Sequence, residues 1–240
     1  MLAYLRLEGT RLYRDVSFLA VSLITPLLMY FVLGNSAKGP DREETLLLLT
    51  VTMAAFGAMG AVLNSGSGIA EDKSLGWLRQ LRLTPLSPAR VVVGRGLVGL
   101  VVALPPILAI QLVGALVDHV RHTPAEWAGS VAALWTGVAP IALLAIGLGY
   151  LLRPQIAQGV AVVSYIAMSL VGGLWQPVDK LPGWLQPVSR ATPTYRYAQF
   201  ADDLATGHAP HAQGAAILAG WTAIAAVFAL LAYRKGAETR

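Results

Sequence analysis

Six long stretches of the chain carry no charged residue, and they restrict the possible fold more than any other feature. Cutting the 240-residue sequence at every Asp, Glu, Lys and Arg leaves uncharged windows at 16–37, 45–70, 96–117, 127–152, 154–178 and 204–233. Each window exceeds the roughly 20 helical residues that cross a hydrocarbon layer. None of them alternates apolar with polar residues, which favours membrane helices over a transmembrane barrel. With only 13% charged residues, the composition is that of an integral membrane protein.

We therefore predict an all-α integral membrane protein with one transmembrane domain over residues 1–240. The predicted spans lie near 16–34, 46–70, 91–117, 128–152, 155–174 and 212–233. Residues 1–15 mix leucines with three arginines and predict an amphipathic helix on the inner membrane surface; a solvated tail is the alternative. Residues 175–203 combine four prolines with several aromatic residues, and they predict half-helices that re-enter the outer leaflet.

Basic residues are distributed unevenly between the two sides of these spans. With the N-terminus inside, twelve of the 18 Lys and Arg residues fall on the cytoplasmic side and six outside. The positive-inside rule then predicts that both termini face the cytoplasm. The formal net charge of +5 follows from this bias, so no nucleic-acid partner is needed to explain it.

Segment 71–88, EDKSLGWLRQLRLTPLSP, is the longest charge-rich interruption, and the predicted topology puts it in the cytoplasm. Leu75, Leu78 and Leu81 recur every third residue. Arg79 and Arg82 fall together on a neighbouring helical face. The pattern predicts a short amphipathic helix at the membrane edge that contacts a partner. Pairing of the two arginines with lipid phosphates is the alternative.

Several kinds of chemistry are disfavoured by the sequence. None of the four lysines follows a glycine, so there is no phosphate-binding loop of the G-x-x-x-x-G-K-[ST] type. Ion-coupled carriers place charged residues inside their spans. No predicted span has a charged residue at its centre. Arg95 lies near the inner end of span three and is expected to snorkel to the interface, so a proton- or sodium-driven carrier is disfavoured. The acids and histidines near residue 205 are too loosely spaced to predict a metal site. We expect no cofactor in this chain and an energy source outside it.

A serine-glycine run at 65–68 makes an intramembrane serine hydrolase the competing hypothesis. Such chemistry needs a histidine base beside Ser65 or Ser67 within the membrane. All four histidines fall in predicted outer loops or at the edge of the last span. The run is therefore better explained as a surface of small residues where helices pack closely. A membrane anchor without transport activity is a third possibility.

Two motifs resemble the membrane subunit of ABC-2-type exporters, a family of drug, antibiotic and glycoconjugate permeases. In the first, Glu71 precedes Gly76-Trp77 and the run RQLRLTPLSP at 79–88, which is similar to actinobacterial members. In the second, GGLWQP at 172–177 precedes LPGWL at 181–185 and Thr192-Pro193. The resemblance covers essentially the whole chain. Lys73 departs from it, because many members have an acidic residue there.

The resemblance implies an ABC-2 (type V exporter-like) fold of six helices in the bacterial cytoplasmic (inner) membrane. It implies a non-enzymatic permease subunit that pairs with a second copy, as homodimer or heterodimer, above two ATPase subunits that bind ATP and Mg. The exported substrate would be amphipathic: an antibiotic, a drug-like metabolite or a lipid. A coupling helix within 71–84 would sit in a groove of the ATPase. The candidate coupling residues are Glu71, Lys73, Trp77, Leu78, Arg79, Leu81, Arg82 and Thr84.

Two amides in otherwise apolar spans are candidates for the substrate pathway. Asn64 lies in the second predicted span and Gln111 in the third. A polar part of an amphipathic substrate could meet either side chain. The alternative is that both amides form hydrogen bonds between helices, as such residues do in membrane bundles.

Overall fold

The structure is a computed structural model that describes residues 20–37, 39, 42–75 and 87–238. The predicted surface helix at 1–15 lies outside these residues, as does the beginning of the first predicted span. Every regular element within the described residues is helical, and none of them is a strand. The predicted all-helical class is thereby confirmed.

The chain forms long helices joined by short connections. A π-helical turn at Ala20–Ile24 leads into α1 (Thr25–Ser36), which is followed by α2 (Arg42–Ser74), α3 (Pro88–Leu116), α4 (Pro124–Gly137), α5 (Ala139–Leu151) and α6 (Pro154–Val171). A 3-10 turn at Val178–Lys180, two short helices, α7 (Gln186–Ala191) and α8 (Pro193–Ala205), and the long α9 (Ala212–Glu238) complete it. Proline opens α3, α4, α6 and α8, where its missing N–H costs no helical hydrogen bond.

Five helical stretches are long and apolar enough to cross a membrane. They are Arg42–Ser74, Pro88–Leu116, Pro124–Leu151 (α4 with α5), Pro154–Val171 and Ala212–Gly236, and a shorter apolar helix, Ser22–Ser36, precedes them. The protein is therefore a multi-pass helical membrane protein. The sixth span and the orientation of the termini stay predictions.

The helix α2 occupies the centre of the bundle, with 89% of its most apolar window buried inside the chain. It packs against α1, α3, α5 and α6. A Cβ on Gly57 would lie 2.8 Å from the Cβ of Pro106 in α3, and one on Gly66 would lie 2.5 Å from the Cβ of Ala145 in α5. The prediction that the small residues of this span pack against another helix is confirmed.

The helix α6 contacts the bundle through one narrow stripe of residues. Ala157, Ala161, Tyr165 and Ser169, spaced four residues apart, are buried, and most of the remaining surface of α6 is exposed. Tyr165 stacks on Phe56 of α2 with ring centroids 4.3 Å apart. The connection between α5 and α6 is very short, which favours packing of these two helices as antiparallel neighbours. In the structure α6 packs mainly on α2, whose small residues offer a closer surface.

The GG of the second motif ends α6. Gly173 has φ +73°, a left-handed conformation that glycine adopts at little cost. The Gly173 N–H donates to the carbonyl of Leu170, and the Leu174 N–H donates to that of Ser169 at 3.0 Å. These two bonds form a Schellman motif, which satisfies the terminal carbonyls of the helix. The motif thus has a structural role in stopping α6.

Three side-chain hydrogen bonds attach the segment after α6 to the bundle. The Ser189 hydroxyl donates to the carbonyl of Val171. Trp221 of α9 donates its indole N–H to the carbonyl of Ala191 at 2.8 Å. The fully buried Tyr197 donates its hydroxyl proton to the carbonyl of Ala55 in α2. The predicted half-helices correspond to α7 and α8, and their depth in the membrane stays a prediction.

Candidate functional site at the inner end of the bundle

Segment 71–88 starts in the last turn of α2 and ends at Pro88, the first residue of α3. We call this end of the bundle the inner end, because the charge distribution predicts that it faces the cytoplasm. The helix α2 continues to Ser74, so Glu71 and Lys73 belong to its last turn instead of to a loop. Glu71 is exposed. The other six candidate coupling residues, between Trp77 and Thr84, lie outside the described residues.

A buried ion pair joins the two helices that flank the segment. An Nη2 atom of Arg95 in α3 lies 2.7 Å from Oδ2 of Asp72 in α2, and the two side chains are only 7% and 13% exposed. The expectation that Arg95 snorkels to the interface is therefore wrong. Its guanidinium points into the bundle because a carboxylate on α2 compensates its charge there. Asp72 was not among the candidate residues predicted from the sequence, although opposite charges near the facing ends of consecutive spans are a usable signal.

Lys73 joins the same end of α2 to α5. Its ammonium group donates to the carbonyl of Tyr150 at 2.7 Å and to that of Leu152 at 2.8 Å. The last carbonyls of a helix have no helical partner and carry partial negative charge, so a cation is favoured there. The residue that departs from the family pattern thus has a local structural role. Its contact with an ATPase stays a prediction.

An apolar cluster underlies these polar contacts. Its members come from α2, α3, α5 and α9, and the rings of Tyr150 and Tyr233 meet edge to face with centroids 5.1 Å apart. The cluster comprises Ile69, Val91, Val92, Ile146, Tyr150, Ala229, Ala232 and Tyr233. Burial of these side chains stabilises the contact of four helices at the inner end.

The two predicted pathway amides differ in their surroundings. Gln111 is 4% exposed, and its side-chain N–H donates to the Ser130 hydroxyl of α4 at 2.9 Å. This arrangement matches the alternative, a hydrogen bond between helices. Asn64 is half-buried on α2. A role of either amide in a substrate pathway stays a prediction.

The serine run shows packing contacts. Ser67 is 9% exposed, and its hydroxyl lies 2.7 Å from the carbonyl of Asn64 and 2.8 Å from Oε1 of Gln158 in α6. These partners are a carbonyl and an amide, whereas a nucleophilic serine needs a base. Within the described residues, no group of three or more His, Cys, Asp and Glu side chains could hold a metal ion.

Comparison with known proteins assigns this architecture to a family. The family described as "ABC-2 family transporter protein" matches residues 35–234. A relative from Bacillus subtilis (strain 168), "Putative transport permease YvfS", is 28% identical over 209 residues, which cover 85% of this chain and 84% of the relative. "Probable multidrug ABC transporter permease YbhR" of Escherichia coli (strain K12) is 22% identical over 171 residues, which cover 69% of this chain and 45% of that protein. With most of its length matched and its apolar helices observed, the chain belongs to the ABC-2 family of transporter membrane proteins.

Proposed function

We propose that this protein is the permease subunit of a bacterial ABC exporter in the cytoplasmic membrane, with six spans and both termini inside. A separate ATPase subunit, in two copies, supplies the energy, and a second permease copy completes the membrane domain. The substrate is an amphipathic molecule such as an antibiotic, a drug-like metabolite or a lipid. The multidrug name of the Escherichia coli relative supports this substrate class.

The observation that carries the proposal is the attachment of segment 71–88 to the membrane bundle. The helix that enters the segment is held to α3 by Asp72 and Arg95 and to α5 by Lys73. A force applied to the segment is therefore transmitted to three membrane helices, as rigid-body switching requires. The proposed contacts with the ATPase are Glu71, Trp77, Arg79 and Arg82. Leu78 and Leu81 are proposed to anchor the helix against the membrane domain.

Reversing the two arginine charges tests this function. The Arg79→Glu, Arg82→Glu double variant should lose the ATPase during purification in mild detergent, while the permease itself stays folded. Losing a buried charged contact at an interface costs about 2–5 kcal/mol, a fall in affinity of roughly 30-fold or more.

Arg190→Glu is the matched control, because this exposed arginine pairs with Asp179 in the segment predicted to face outside. It should leave the ATPase attached. An unchanged amount of co-purified ATPase in the double variant would refute the role of the two arginines. If no ATPase accompanies the unaltered protein from native membranes, the exporter assignment is wrong.

A further inference from the structure

The ion pair between Asp72 and Arg95 closes the base of segment 76–86. Asp72 is two residues from the end of α2, and Arg95 lies two turns into α3. Both side chains are largely removed from solvent, and 2.7 Å separates their closest atoms. Separating the two helices here would break this largely buried ion pair, and breaking such a pair is strongly destabilising. The ends of α2 and α3 are thereby held at one spacing.

Lys73 extends this connection to a third helix. Its two acceptors, the carbonyls of Tyr150 and Leu152, stand at the end of α5 and in the link to α6. Hydrogen bonds from a charged donor are stronger than neutral ones. Consecutive residues of α2 therefore attach it to α3 on one side and to α5 on the other.

The helix α6 is connected differently. Among the described residues, it contributes no member to the apolar cluster at the inner end. It meets α2 through its stripe of Ala157, Ala161 and Tyr165 and through the contact of Gln158 with Ser67. These contacts of α6 lie apart from the ion pair and from the two lysine hydrogen bonds that join α2, α3 and α5.

We propose that Asp72, Lys73 and Arg95 are positioning residues for energy coupling: they form a polar clamp that makes the inner ends of α2, α3 and α5 one body. Displacement of segment 76–86 then moves this body as a unit relative to α6. This inference rests on the proposed exporter function, since it requires a partner that displaces the segment.

Distances between spin labels can test the clamp directly, because the chain contains no cysteine and introduced pairs need no background removal. Val93 of α3 and Leu151 of α5, which are 57% and 40% exposed, report on the proposed body. Val93 and Val163 of α6, the latter 67% exposed, report on movement between the body and α6. Labelled chains diluted with unlabelled chains give intrachain distances only.

The experiment compares the purified complex with its ATPase in the nucleotide-free and ATP-trapped states. In the unaltered protein, we expect the distance between residues 93 and 151 to stay constant and that between residues 93 and 163 to shift. In Asp72→Asn and Lys73→Met, the 93–151 distribution should broaden and the 93–163 shift should be lost. In Asp72→Asn the ATPase should stay attached. Lys73→Arg and the exchange Asp72→Arg, Arg95→Asp should restore both distances.

Arg190→Gln removes an exposed ion pair of similar length, 2.8 Å, and should change neither distance. The clamp is refuted if the 93–151 distance shifts with nucleotide in the unaltered protein, or if Asp72→Asn and Lys73→Met preserve both distances. It is also refuted if the charge exchange fails to restore them while the variant remains folded by gel filtration. A complex from which the ATPase is absent would instead refute the proposed function on which the clamp depends. An intact complex in which neither distance responds to nucleotide would refute the movement of the body relative to α6.

Discussion

The contact between α2 and α5 at Gly66 allows a stringent test of the bundle. A Cβ added to Gly66 would lie 2.5 Å from the Cβ of Ala145 and 2.6 Å from its carbonyl oxygen. Two residues further along the same helix, a Cβ added to Gly68 would meet nothing within 4 Å. The substitutions Gly66→Ala and Gly68→Ala therefore add the same methyl group to the same helix in opposite packing environments.

The expected stability difference follows from two terms. Replacing a mid-helix glycine by alanine favours the helix by up to about 1 kcal/mol at either site. At Gly66 the methyl group would also force α2 and α5 apart, because the obstructing atoms include the backbone of Ala145, which cannot rotate aside. Overpacking of this kind costs typically about 1–3 kcal/mol. Because the helix gain is common to both sites, we expect Gly66→Ala to be less stable than Gly68→Ala by the overpacking cost alone, about 1–3 kcal/mol. Gly68→Ala should be neutral or gain up to about 1 kcal/mol.

Thermal unfolding in detergent, followed by loss of the monodisperse gel-filtration peak, measures this difference. For chains of this length, 1 kcal/mol corresponds to roughly 2–4 °C, so the Tm of the two variants should differ by about 2–12 °C. The order of the two variants matters more than the absolute values. Equal Tm values, or a Gly66→Ala variant more stable than Gly68→Ala, would show that α2 and α5 do not meet at Gly66.

Two further predictions concern polar residues. Gln111→Leu removes the hydrogen bond to Ser130 and should lower stability by only about 0.6 kcal/mol, the average for such bonds in membranes. If the proposed exporter moves an amphipathic cation such as ethidium, its ATP-driven efflux should be unchanged; lost efflux at unchanged stability would make Gln111 a pathway residue. Burial, and then the neighbouring Asp203, raises the pKa of Asp202 above its ordinary value. The folded state therefore binds this proton more tightly, and the carboxyl group makes the protein less stable as the pH rises from the ordinary pKa through the raised one. Asp202→Asn should accordingly raise the Tm at neutral pH, and the gain should vanish below the ordinary pKa; a gain that is independent of pH would contradict this account.

Much of the fold could be predicted because it depends on local properties of the chain. A long uncharged window becomes a helix wherever it enters lipid, since the backbone must satisfy its own hydrogen bonds there. The small residues of α2 predicted close packing, and glycine contacts with α3 and α5 confirm it. Helix ends were less predictable. Glu71, Asp72 and Lys73 look like loop residues by charge, yet they extend α2 because their side chains have partners or solvent at the inner end.

The candidate site was predicted by position but not by contacts. Sequence spacing located the charged segment, and the resemblance supplied a reason for its charges. The partners of these charges are far away in the chain: Asp72 pairs with a residue 23 positions later, and Lys73 reaches a carbonyl 77 positions later. Such pairs depend on which helices lie side by side, and no local pattern encodes that arrangement.

The sequence by itself determined that this protein is a helical membrane protein, with a charged segment between its second and third predicted spans. It did so because hydrophobic length and charge are additive properties that can be counted along the chain. Only the tertiary structure decided that α6 packs on α2, that Arg95 is buried, and that Lys73 holds α5. These outcomes depend on helix packing, where the fit of surfaces decides which buried charge meets which partner.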